Sequence, residues 1–243
     1  MGVPVHDLRF DESIELIVGA IEVGRPLVVA TPNIDHLVRA SRDPSFRDAL
    51  LAADLRVPDG MWIVYASRIA RRPLRGTTTG RLLVPALAAK AADRGWGIAL
   101  VGGPPGVATE AARRLQAADA SLRVDLADAP PMGFHVDDPA DRALVKRLAA
   151  TDARIVFVGL GAPKQELWMA AHSAELGGRV VLGIGAGIDI VAGRFKAAPT
   201  WMTRTGLEWA FRLAQEPRRL ARRYLVDDPH VLLWAVRARF GRS

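Results

Sequence analysis

Short, uninterrupted apolar runs recur along this chain, each closed by turn residues and separated from the next by segments of helical spacing. Residues 27–30, 98–101, 155–158 and 180–184 are such runs. A strand that is apolar at every position has both faces buried, the signature of a parallel sheet covered on each side. Between the runs, residues 107–118 and 141–150 place small or apolar side chains at helical spacing, with arginines on the other faces. Strand and helix in alternation predict an α/β fold, a Rossmann-like, mostly parallel sheet flanked by helices. The Pro-Pro and Met-Gly-Phe cluster within residues 128–139 predicts a loop or hairpin. After Pro199 the strand pattern stops. Trp201, Leu207, Trp209, Phe211 and Leu213 suit helices, and Pro217 suits the start of a new one. The expected division is a catalytic core over residues 1–199 and a basic, amphipathic helical appendage over 200–243.

With 243 residues, half of them apolar, the chain can bury one sizeable core with an appendage. It has no cysteine, which excludes disulfides and thiolate zinc sites and fits a reducing compartment. Residues 1–10 carry His6, Asp7 and Arg9 in place of a signal-peptide apolar stretch, so a cytoplasmic location is expected. No apolar run approaches the roughly 20 residues of a membrane span, so any membrane contact should be peripheral, at the inner face. The net charge is +7, and nine arginines against four carboxylates from Thr200 onward supply five of it. That basic end suits an anionic membrane surface, a diphosphate or a nucleic acid.

Ligands of open parallel sheets bind beyond the carboxyl ends of the strands. Four segments follow predicted strands or apolar stretches: Thr31-Pro32-Asn33, Pro58-Asp59-Gly60, Gly102-Gly103-Pro104-Pro105-Gly106, and Gly159-Leu160-Gly161-Ala162-Pro163-Lys164-Gln165-Glu166. All four are expected on one rim. Gly102, Gly103, Gly106, Gly159 and Gly161 let backbone amides approach an anion, and each loop opens a helix, as a nucleotide diphosphate requires; tight turns are the plainer use of the same glycines. Neither loop is a complete dinucleotide or P-loop fingerprint. Asp59 is placed either to take a proton from an attacking hydroxyl or to cap the helix that follows. Thr31, Asn33 and Asp189 divide likewise between sugar binding and turn closure, and Gln165 and Glu166 between a ligand and a helix start. Arg212, Arg219 and Arg222 are at near-helical spacing and could converge on a diphosphate or form a solvated face. Leu220, Tyr224, Leu225, 231–233 and Trp234 are interleaved with the basic residues, which suits an interfacial helix. The five histidines lack metal-ligand spacing, and no metal or other cofactor is expected.

Taken in order, the Thr-Pro-Asn, Pro-Asp-Gly and Pro-Lys-Gln-Glu segments and the block from Leu207-Glu208-Trp209 to Arg222-Arg223-Tyr224 resemble the WecG/TagA/CpsF glycosyltransferase family over about residues 10–225. The resemblance implies an inverting, metal-independent transfer of a sugar, N-acetylmannosamine or a related hexose, in cell-wall or surface polysaccharide synthesis. The donor is a UDP-sugar and the acceptor an undecaprenyl-diphosphate-linked sugar. By resemblance, Asp59 is the general base, Thr31, Asn33 and Gln165 belong to the substrate site, and Arg212, Arg219 and Arg222 hold the diphosphate from an appendage that touches the membrane. Nucleic acid is not an expected partner, and self-association is left open. Around Gly80 the chain departs from the family's pattern: Thr77 stands at the usual arginine and Leu82 at the usual aspartate. Arg75 and Arg81 are the candidates to replace the arginine.

Two other readings share these features. A nucleotide-dependent oxidoreductase predicts stabilisation by NAD instead of UDP. A non-catalytic module predicts binding of anionic membranes or nucleic acid through the basic end, without UDP release.

Overall fold

The computed structural model describes residues 3–196, 198, 199, 201, 202, 205, 207–222, 234 and 236, with Arg219 and Arg222 described by backbone alone. Six strands form one all-parallel sheet in the order β2-β1-β6-β5-β3-β4. They are β1 (Leu27–Ala30), β2 (Leu55–Arg56), β3 (Gly97–Gly102), β4 (Arg123–Asp128), β5 (Ala153–Gly159) and β6 (Val180–Gly183). Strands β3 and β5 pair in register through Leu100 and Phe157, and β5 pairs with β6, the other central strand, through Phe157 and Leu182.

Alternate side chains of these strands enter different cores, as the two-residue period of a strand demands. Ile98, Leu100, Ile155, Phe157, Val180 and Leu182 pack against α1 (Phe10–Glu22), α5 (Gly80–Arg94) and α6 (Val107–Ala118). Ala99, Val101, Val156, Val158 and Val181 face the other way, against α7 (Pro139–Ala149) and α8 (Lys164–His172). Both faces are dry, which explains the uninterrupted apolar runs. Beneath α8, the buried Asp141 carboxylate accepts from Trp168 Nε1 at 2.6 Å and lies 2.8 Å from His172 Nε2, while His172 Nδ1 is buried without a hydrogen-bond partner.

Three further helices lie towards the β1 and β2 edge, α2 (Ile34–Arg42), α3 (Pro44–Ala52) and α4 (Met61–Ile69), and α9 (Gly187–Val191) packs against α5 and α6. α10 (Glu208–Gln215) and α11 (Pro217–Arg222) follow, and Pro217 begins α11 as its fixed φ and missing N–H favour. Trp234 is half-buried against the cluster of Ile34, Val38, Ile63 and Val64 between α2 and α4. Its indole therefore contributes to the packing of this cluster. Tyr224, Leu225 and 231–233, expected with Trp234 to suit an interfacial helix, lie outside the described residues. No described helix is long and apolar enough to cross a membrane.

Candidate active site

The strand ends expected to form one rim divide into two groups. The loops after β1, β2, β5 and β6 surround a cavity of about 470 Å³, closed from the far side by the first turn of α5 and by α10 and α11. Thr31, Asn33, Asp59, Gly161, Gln165 and Arg212 line it.

Asp59 is half-buried, and its amide donates to Pro32 O at 2.9 Å, joining the β2 loop to the β1 loop. The residue that caps α4 is Gly60, at φ +81°, and no side chain makes the capping bond. The carboxylate of Asp59 is thus not used as a helix cap. It accepts from Asn33 Nδ2 at 3.4 Å. Asn33 is itself the cap of α2, its Oδ1 accepting from His36 N at 3.3 Å, and this fixes which way its amide points. With the oxygen turned to His36, the NH₂ must face Asp59.

The same polar chain continues into the sheet. His36 Nδ1 lies 2.8 Å from Asn33 Oδ1, and His36 Nε2 lies 3.1 Å from Glu166 Oε1. Gln165 Nε2 donates to that Glu166 oxygen at 2.8 Å, while Gln165 Oε1 accepts from Gly185 N at 2.8 Å and so anchors the loop after β6. Glu166 Oε2 is buried without a hydrogen-bond partner. Glu166 therefore serves the cavity wall through His36 without itself lining the cavity. Thr31 donates its hydroxyl to Gly183 O at 2.8 Å, tying β1 to β6 at the cavity floor.

The glycines divide in the same way. Gly161 lines the cavity, whereas Gly102, Gly103, Gly106 and Gly159 do not. Gly102 has φ +130°, and a Cβ there would lie 2.5 Å from the backbone of Gly159. Gly103 N donates to Gly159 O at 3.2 Å. These residues stitch β3 to β5 by close backbone contact. Asp189 accepts from Arg194 Nη1 at 2.9 Å and also lies off the cavity wall, although its neighbours Gly187 and Ile190 are on it. The side chains of Arg219 and Arg222 lie outside the described residues.

Several cavity residues were not singled out from sequence as site residues: Asp35, His36, Arg39, Thr79 and Glu208; of the two arginines offered as replacements near Gly80, Arg81 lines the cavity. His36 and Arg39 are three residues apart after the Asn33 cap, so the polar face of α2 carried a usable signal. The guanidinium of Arg39 stacks over Phe46, 5.8 Å from the ring centroid. Among the described residues no group of three His, Asp or Glu side chains is arranged to hold a metal ion. The cavity therefore presents a carboxylate that caps no helix, amide and hydroxyl groups suited to a sugar, and three guanidiniums suited to phosphate.

Comparison with known proteins decides what kind of enzyme owns such a cavity. The sequence matches the description "Glycosyl transferase WecG/TagA/CpsF family" over residues 1–243. The chain belongs to this family. As a WecG/TagA/CpsF glycosyltransferase it is an enzyme, which removes the oxidoreductase and the non-catalytic module from the readings the sequence left open. It is 28% identical over 227 residues, covering 90% of this chain and 85% of the relative, to the N-acetylglucosaminyldiphosphoundecaprenol N-acetyl-β-D-mannosaminyltransferase of Bacillus spizizenii.

Proposed function

We propose that this glycosyltransferase moves an N-acetylmannosamine-type sugar from a UDP-sugar to N-acetylglucosamine carried on undecaprenyl diphosphate, in the synthesis of a cell-wall or surface polysaccharide. The observation that carries the reading is Asp59, a cavity-lining carboxylate that caps no helix and is oriented by the Asn33 amide. In the proposed reaction the acceptor hydroxyl attacks the anomeric carbon, Asp59 takes the hydroxyl proton, and UDP departs from the opposite face with inversion. Thr31, Asn33 and Gln165 shape the sugar-binding wall, and Arg212, with Arg219 and Arg222, neutralises charge developing on the diphosphate.

The donor and acceptor are supported by the activity for which the Bacillus spizizenii relative is named and by family membership. Metal independence is part of the proposal: the guanidiniums on the cavity wall supply the positive charge that a diphosphate needs. A membrane-linked acceptor and the basic end after Thr200 support association with an anionic inner membrane surface.

The test is a panel of UDP-sugars with a short-chain prenyl-diphosphate N-acetylglucosamine, reading UDP release with and without EDTA. UDP-N-acetylmannosamine should give the fastest release, unchanged by EDTA. A different preferred donor overturns the sugar assignment, and loss of release in EDTA overturns the metal-free mechanism.

A further inference from the structure

Two charged residues from different parts of the chain meet in the cavity wall. Arg81 lies in the first turn of α5 and Glu208 is the first residue of α10; both line the cavity, with Arg81 Nε 3.4 Å from Glu208 Oε1. Their side chains are only 15% and 23% exposed. The start of α5 is fixed against the sheet, because Gly80 packs so tightly on Ile184 that a Cβ would lie 2.3 Å from the Ile184 carbonyl oxygen. Thr79, the cap residue of α5, makes no capping bond. Its hydroxyl is buried without a hydrogen-bond partner, although Thr79 lines the cavity. No acidic residue lies in the first turn of α5. An uncapped helix start, an unused hydroxyl and a guanidinium thus lie side by side, an arrangement complementary to a phosphate.

Arg75, the other basic residue near Thr77, is occupied elsewhere. Its guanidinium donates to Glu12 at 2.7 and 2.9 Å and to Asp7 Oδ2 at 3.2 Å, and it does not line the cavity. α10 presents both signs to the cavity, Glu208 and, one turn later, Arg212.

We propose that Arg81 and the start of α5 bind the diphosphate of the nucleotide donor, and that Glu208 is a stand-in anion which the diphosphate displaces from Arg81. This rests on the reading of the donor as a UDP-sugar. A carboxylate at the guanidinium occupies the position a phosphate oxygen would take, so binding exchanges one anion for a more highly charged one. The donor is favoured over the lipid-linked diphosphate because Arg81 is largely enclosed, whereas a diphosphate attached to a membrane-embedded chain must remain at the mouth of the site.

The proposal gives the two partners of one ion pair opposite effects. Calorimetric titration of UDP, uridine and short-chain prenyl-diphosphate N-acetylglucosamine into wild type, Arg81→Gln and Glu208→Gln separates the outcomes, with thermal unfolding confirming the fold of each. Arg81→Gln should weaken UDP binding about 10- to 100-fold, the loss of a charge-assisted contact. Glu208→Gln should tighten it about 2- to 5-fold, the release of a partly exposed competing pair. Uridine affinity should change in neither. A pair that merely joins α5 to α10 would give losses in both variants or changes in neither, and either result overturns the proposal while leaving the donor reading intact. Opposite effects on the prenyl diphosphate but not on UDP would overturn the assignment to the donor. Wild type that fails to bind UDP overturns both this proposal and the donor reading.

Discussion

The starts of α5 and α6 lie on the same side of the sheet and carry opposite electrostatics. α6 follows the Gly102 to Gly106 loop, the more glycine-rich of the two, and has Glu110 in its first turn. Its helix dipole is answered within the helix. α5 follows Thr77-Thr78-Thr79, has no acid in its first turn, and carries Arg81 there instead. Glycine content alone selects α6 as the anion site; the cavity is at α5. Glycines permit close approach by any backbone, and at β3 the backbone that approaches is that of β5. What marks a ligand site is charge and hydrogen-bonding capacity left unanswered by the fold.

The largest effect should come from the cavity side. Asp59→Asn removes the proposed proton acceptor while keeping the shape, so turnover should fall by roughly 100-fold or more with the melting temperature unchanged. Near-normal turnover in a folded variant, measured by UDP release, would take Asp59 out of the mechanism.

On the β3 side the expected loss is in stability. Gly102→Ala places a Cβ 2.5 Å from the Gly159 backbone at a φ of +130°. Neither the strain nor the overlap can be relieved by a rotamer change, and a cost of about 3 kcal/mol is expected. At this chain length that lowers the melting temperature by roughly 10 °C. UDP affinity of the folded fraction should be unaltered; a selective loss of affinity without a fall in melting temperature would return the Gly102 loop to the binding site.

A third change tests how far the site extends behind its wall. Glu166→Gln keeps the volume but weakens the contact to His36, which holds Asn33 and through it Asp59. Turnover should fall by about 10-fold with little change in KM, because the base is misdirected while the substrate contacts remain. A change confined to KM would make Glu166 part of substrate binding instead.

The same contrast explains what could be read from the residues alone. Residues 98–101, 155–158 and 180–184 were legible as strands because they are buried on both faces, and the place of Thr31, Asn33, Asp59 and Gln165 on the cavity wall was legible because they follow the ends of parallel strands. β4 was not, since Arg123, Asp125 and Asp128 break its apolar run at the sheet edge, and β2 is only two residues long. Whether Asp59 caps a helix turned on one residue: Gly60 at φ +81° takes the cap position and leaves the carboxylate to the cavity. Arg81 and Glu208 meet only through the packing of α10 over α5, which no local spacing encodes. Thr79 carried no signal either, because its hydroxyl becomes informative only once it is buried without a partner.

The smallest effect is expected at the start of α6. The Glu110 carboxyl is held down from 4.5 to about 2, first by hydrogen bonds from Arg113 and Arg114 and then by their charge. A carboxyl lowered by folding stabilises the native state above its unfolded value, and that contribution disappears as pH falls through the folded value. The difference in melting temperature between wild type and Glu110→Gln should therefore be small at neutral pH, since the pair lies at the surface, where solvent screens it. It should close between pH 4.5 and about 2. UDP affinity should change by less than about 2-fold, because the first turn of α6 faces solvent charge of its own and not the cavity. A gain in UDP affinity on removing Glu110, comparable with that expected for Glu208→Gln, would mean that α6 competes for the diphosphate and that the two helix starts are not functionally different.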